Sequence, residues 1–234
     1  MLVKELVSRI KSLYSKGASS DDSRLSSRHV YSKIKSARAV LIKREQDKKR
    51  KNSPWNIQSI PCLRLEVVDA SSCDCIIPAG CKLLKSVCKI PKPIQTMLAT
   101  GIESVSTVDG STLFSFTTWA KKRYKSGNKY TSQEPDYFVR DEFLYITHNT
   151  MLEWVAVSGI FEDPVDVYRF IQDPECACGE DIDPCASPTD SELELPEYLV
   201  EPLMQLAVQE LVQMFGKMPE DNNNDAKGAE APNE

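Results

Sequence analysis

Cysteine is the residue type in this 234-residue chain whose spacing is easiest to read as chemistry. The eight thiols fall as Cys73-x-Cys75-x5-Cys81-x6-Cys88 and Cys176-x-Cys178-x6-Cys185, with Cys62 apart. Thiolates are soft ligands, and the pairs Cys73/Cys75 and Cys176/Cys178 together would supply four donors to one tetrahedral zinc. Against this, the spacing departs from the Cys-x2-Cys knuckle. The only histidines, His29 and His148, lie near neither cluster. Reduced thiols, buried or half-exposed, are the simpler expectation. The opening MLVKELVSRIKSLYSKG carries charges inside its apolar pattern and lacks a small-residue cleavage site, so it does not read as a signal peptide. Cysteine at about 3% is too sparse for a disulfide scaffold, and disulfides would require oxidation after release from a cell.

Catalytic patterns are not found. Neither histidine neighbours a nucleophile pattern, and nine glycines form no phosphate-binding loop. Carboxylates are plentiful but concentrate in polar segments rather than in an apolar frame that would shift their pKa. The chain is therefore expected to be no enzyme and to need no cofactor. Nucleic-acid binding is the stronger chemical alternative. Residues 24–51 hold eleven Lys and Arg against Glu45 and Asp47, enough to track a phosphate backbone. No zinc-finger ligands or stacking strand accompany them, and a solvated basic face is the bland reading.

These basic residues lie on a helix. Val30, Ile34, Ala37 and Leu41 are spaced four, three and four, which predicts a helix from about 25 to about 48 with a narrow apolar stripe. Arg28, Lys33, Lys35, Arg38, Lys43 and Arg44 occupy its other faces, and Pro54 prevents continuation. Before it, Leu2, Val3, Leu6, Ile10, Leu13 and Tyr14 predict a first helix closed by Gly17. Strand signals occupy residues 60–69, 81–90, 102–108, 112–116, 136–140, 142–147 and 151–161. Asp109-Gly110 marks one hairpin, and a second tight hairpin joins residues 136–140 to 142–147. Thr118 to Lys125 has the pattern of one or two helical turns. Asp163-Pro164 is an N-cap and N1 pair for a short helix. Beyond a linker at 173–192, Leu199, Leu203, Leu206, Ala207, Leu211 and Met214 stripe a last helix. Residues 217–234 are polar and acidic, a composition that does not fold alone.

The expected class is α+β: a helical bundle built from N- and C-terminal helices, with an inserted antiparallel β-module. The expected divisions are 1–54 and 162–216 for the bundle, 55–161 for the module and 217–234 for an extended tail. No apolar run is long enough to cross a bilayer, so no membrane is expected. The net charge of −5 conceals a strong polarity. Residues 1–161 carry +11, and residues 162–234 carry −16. Opposite charge on two ends of one chain suits head-to-tail association of copies.

The segments VKELVSRIKSLYSKGASSDDSRLSSRHVYSKI, KKRYKSGNKYTSQEPDYFVRDEFLYIT and LPEYLVEPLMQLAVQELVQMFGKMPEDNNND resemble the head-to-tail connector, or ring, proteins of crAss-like Bacteroides phages. The resemblance spans essentially the whole chain. It implies a virion structural protein, assembled in the bacterial host cytoplasm, with twelve copies in an adaptor ring around the DNA channel. The implied partners are the portal protein and other connector or tail proteins, with transient contact to packaged DNA. On this view the intersubunit and portal contacts are carried by Arg28, Lys33, Lys35, Arg38, Lys43 and Arg44 on the second helix. Leu199, Leu203, Leu206, Met214 and Phe215 on the last helix join them, as do Met218 and Pro219 in the tail. The module would face the next ring or the tail. A nucleic-acid-binding module using residues 24–51, or a zinc-stabilised interaction protein using the two Cys-x-Cys pairs, are the alternatives.

Overall fold

The computed structural model describes residues 1–15, 25–48, 53–69, 82–95, 101–118, 120–121, 134–147, 151–178 and 190–215. The expected turns of Thr118–Lys125 fall mostly outside them. So do Gly17 and the tail 217–234.

Helix α1 spans Val3–Tyr14 and buries Val3, Leu6, Val7 and Ile10 at helical spacing. Helix α2 spans Ser27–Asp47, and the Ser26 side chain caps it by accepting from the His29 N–H at 3.2 Å. Its stripe is the expected one: Val30, Ile34, Ala37 and Leu41 are buried. Helix α3, Pro164–Gln172, begins on the Asp163-Pro164 pair, whose carboxylate accepts from the Val165 N–H at 3.0 Å. Helix α4, Glu197–Phe215, buries Leu199, Leu203, Met204, Ala207 and Leu211. Pro202 lies inside it beyond the first turn, so one i→i−4 backbone bond is missing there. None of the helices is long and apolar enough to cross a membrane, among the described residues.

Between α2 and α3 run seven strands: β1 Gln58–Asp69, β2 Lys82–Ser86, β3 Ile102–Thr107, β4 Ser115–Phe116, β5 Asp136–Arg140, β6 Phe143–Ile146 and β7 Trp154–Gly159. They form one sheet in the order β3-β7-β1-β2-β6-β5-β4. β1 is long enough to serve two neighbours. Its first half pairs with β7 and its second half with β2. The register slips between Ile60 and Leu63, where Pro61 lacks the N–H a regular ladder would need. The two edges of the sheet also meet. Phe114, just before β4, donates to the Val105 carbonyl of β3 at 2.8 Å. Ser106 bridges Leu113. The sheet is thus curled into a nearly closed barrel, which leaves little edge to aggregate.

Both predicted hairpins are present. At the first, Gly110 takes φ +71° and its N–H reaches the Thr107 carbonyl at 2.8 Å. At the second, Asp141 and Glu142 take φ 52° and 68° between β5 and β6. Positive φ at both turn residues matches the twist of the flanking strands.

The mixed α+β class stands, but the expected helical bundle does not. The barrel is the dominant element, and the helices lean on it. Val3, Leu6, Ile10, Ile34, Leu203 and Leu211 belong to an apolar cluster shared by α1, α2 and α4. Ile42 of α2 leaves that cluster to pack with Ile94 and Ile160. Val167 of α3 joins the barrel core beside Leu63, Leu84, Val155 and Phe161. The reason is the directions of the apolar side chains: α2 and α3 each present some to the helices and some to the sheet. A helical period read along one element cannot say how its apolar face is divided between partners.

Candidate interaction surfaces

The basic side chains of α2 meet two fates. Arg28, Lys43 and Arg44 are exposed. The other three are engaged inside the chain. Lys33 Nζ lies 3.2 Å from Glu210 Oε2 of α4. Lys35 Nζ donates to Asp163 Oδ2 at 2.7 Å. Arg38 is wholly buried. Its Nη1 donates to the Phe161 carbonyl at 2.6 Å, while Nε and Nη2 point to the Glu194 carbonyl at 3.4 and 3.3 Å. One guanidinium fork thereby fastens α2 to the exit of the barrel and to the approach of α4. Burial lowers its pKa to about 10, so it remains a cation at neutral pH.

Asp163 is the counterpart of this cluster. Besides capping α3 it accepts from Lys35 and from the Tyr31 hydroxyl, the latter at 2.6 Å. Burial pushes its carboxyl up, but the bonds from Lys35 and Tyr31 outweigh that and hold it below the usual carboxylate range. Burial and the Asp163 contact push the Tyr31 phenol up in turn. Asp166, one turn on, is raised by its own burial and by Asp163. The sequence shows Asp163 as a cap. That its remaining acceptor sites reach α2 depends on a contact across 132 residues, which no local pattern carries.

The charge polarity of the chain is partly satisfied in the same way. The ion pairs Lys4–Asp190, Lys33–Glu210, Lys35–Asp163 and Lys92–Glu162 each join a base of residues 1–161 to an acid of residues 162–234.

On α4, Leu199 and Leu203 are buried and Leu206 is half-buried, so they build the helical cluster. Met214 and Phe215 are exposed at its end. Phe215 makes edge contacts with Tyr14 and His29. Met218 and Pro219 lie outside the described residues. At the opposite side of the chemistry, Trp55 and Tyr198 stand exposed in a shallow groove with Ser53, Leu195, Pro196 and Glu197. That aromatic pair went unnoticed in the sequence because its members are 143 positions apart.

Of the four cysteines of the zinc alternative, the described residues include only Cys176 and Cys178. Cys73 and Cys75 lie outside the described residues. Cys176 and Cys178 are joined by disulfides to Cys88 and Cys62, with Cα–Cα separations of 5.4 and 5.7 Å. Among the described residues, no group of three or more His, Cys, Asp or Glu side chains is disposed to hold a metal ion. The expectation of uniformly reduced thiols is therefore corrected for these four. The pairings span 116 and 88 residues, too far for spacing to reveal.

A family model described as phage tail ring protein 2, of the crAss-like ring proteins, matches residues 5–233. Comparison with curated proteins finds no match.

Proposed function

The chain belongs to the phage tail ring protein 2 family, and from that premise we propose that it is a non-enzymatic structural subunit of the virion. Twelve copies close into an adaptor ring that continues the DNA channel beneath the portal and links capsid to tail. The observation that carries this reading is the extent of the family match, which takes in both groups of helices and the barrel. The partners are further copies of the chain, the portal protein and neighbouring connector or tail proteins. Assembly takes place in the host cytoplasm. Packaged DNA is touched only in passing.

The geometry supports the same reading. A cyclic ring needs a heterologous interface, in which two different faces of each subunit meet. Exposed Arg28 at the start of α2, and exposed Lys43 and Arg44 near its end, offer cations to a neighbour. Exposed carboxylates such as Glu197 and Glu201 on α4 offer the complementary charge. Leu13 of α1 is an exposed apolar side chain, as are Val212, Met214 and Phe215 of α4, next to the point where the acidic tail departs. Internal pairing of Lys33, Lys35 and Arg38 weakens the case for a continuous phosphate-binding stripe along α2.

Reversing the three exposed charges together, Arg28→Glu, Lys43→Glu and Arg44→Glu, tests the interface. The expected result is a chain with unchanged circular dichroism that no longer forms rings in the presence of portal, because like charges then face each other. Rings formed as readily as by the wild type would remove α2 from the interface.

A further inference from the structure

The two disulfides converge on one short segment. Residues 173–178 leave α3 in a turn and reach β1 at Ala177, which makes an antiparallel bridge to Leu63. The Arg64 N–H donates to the Cys176 carbonyl at 3.0 Å, and the Val87 N–H donates to the Arg64 carbonyl at 3.0 Å. The Asp173 carbonyl accepts from the Cys176 and Ala177 N–H groups, so a tight turn delivers Ala177, which is buried, to β1. This register sets Cys178 across from Cys62 on β1 and brings Cys176 beside Cys88, just past β2. Each pair joins a buried sulfur to a more accessible one: Cys62 to exposed Cys178, and Cys176 to half-exposed Cys88.

We propose that residues 173–178 are a strap that is held by hydrogen bonds while the chain is in a reducing cytoplasm, and is locked covalently to the barrel once the particle leaves the cell. The timing rests on the virion assignment above. The pairing rests on the register alone. The backbone bonds already hold the four thiols within bridging distance, so oxidation requires no rearrangement of the chain. Two of the sulfurs also have polar neighbours: the Cys178 N–H donates to Cys62 Sγ at 3.2 Å, and Asp173 Oδ2 lies 3.4 Å from Cys176 Sγ, placed to accept from an S–H there once the bond is reduced.

The oxidant is a small-molecule disulfide of the extracellular medium. At each pair the accessible thiolate, Cys178 or Cys88, attacks one sulfur of that disulfide. The small S–S bond breaks and a first small thiolate leaves. The buried partner, Cys62 or Cys176, loses its proton and attacks the resulting mixed disulfide, expelling the second small thiolate. Two protein thiols are oxidised, one small disulfide is reduced to two thiols, and the two protons end on those leaving groups. The bond then ties the connection between barrel and last helix to the barrel wall, across loops of 116 and 88 residues.

The test uses the full chain, incubated with reduced or with oxidised glutathione and then alkylated. Non-reducing peptide mapping is expected to find Cys62–Cys178 and Cys88–Cys176 only in the oxidised sample. The melting temperature should rise by roughly 10 °C. The double variant Cys62→Ser with Cys88→Ser should keep the reduced-state circular dichroism and lose that rise. Free thiols at these four positions after oxidation, or pairs formed instead with Cys73, Cys75, Cys81 or Cys185, would overturn the strap. So would one tightly held zinc per reduced chain whose chelation melts the fold. Ring formation by the reduced chain with portal is scored separately, so failure of the strap and failure of the ring assignment give different results.

Discussion

Arg38 concentrates the energetics of the junction in one side chain. A guanidinium without exposed surface is tolerated because its donors meet the carbonyls of Phe161 and Glu194. Arg38→Ala would leave two carbonyls without their donors and a void beside Ile34 and Ile42, so we expect a loss of about 2–4 kcal/mol in urea unfolding. Arg38→Lys should recover only part of it, since one ammonium does not reproduce a planar fork. Asp163 gives the junction a pH dependence. Its carboxyl is held below the usual range in the folded chain. The stabilisation is therefore complete above the unfolded pKa of about 3.9 and is lost as pH falls through the lower folded value. Asp163→Asn should cost about 2 kcal/mol at pH 7 and flatten the decline in stability below about pH 4, measured by urea titration across pH. In the sequence, Arg38 is one basic residue among six on α2. Its position flanking the Ile34–Ala37–Leu41 stripe is visible, but the segments that close over it come from more than a hundred residues away.

At the scale of elements, local chemistry was most informative where one or two residues dictate the backbone. Asp109-Gly110 and Asp163-Pro164 mark a turn and a helix start, and the structure places both there. The apolar stripes of α1, α2 and α4 were readable too, except at their ends, where Leu13 and Met214 are exposed. Barrel closure was not, because the meeting of β3 with residues 112–114 and the sharing of β1 between two neighbours are matters of register. Two glycines, Gly101 and Gly159, allow a close approach between the neighbouring strands β3 and β7. A Cβ on Gly101 would stand 2.5 Å from the Ile94 carbonyl oxygen and 2.6 Å from that of Ile160. The Gly101 carbonyl in turn accepts from the Ile160 N–H at 2.7 Å, where the end of β7 meets the start of β3. Because the obstacles are backbone atoms, they cannot swing aside. Gly101→Ala is expected to destabilise by about 1–3 kcal/mol in thermal or urea unfolding, despite alanine's lower entropic cost. An unchanged midpoint would mean that β3 and β7 do not pack as described.

For the whole molecule, charge carries the clearest lesson. A +11 segment joined to a −16 segment invites an intermolecular reading, yet at least four of the ion pairs across that divide are formed within one chain. Among the described residues, α2 and α4 still leave a neighbour three exposed cations on α2, acids on α4 and exposed Met214 and Phe215. Composition and spacing placed the helices and strands and argued against catalytic motifs. They did not say which charges stay free, because that depends on how the barrel and helices fold against each other. The family match identifies a phage tail ring protein, and the proposed contacts between copies are drawn from residues left exposed on α2 and α4. The most direct measurement is negative-stain imaging of the purified full chain mixed with its portal protein. Closed rings of twelve copies stacked coaxially on the portal are expected. A chain that stays monomeric and leaves the portal bare would contradict the proposed adaptor ring.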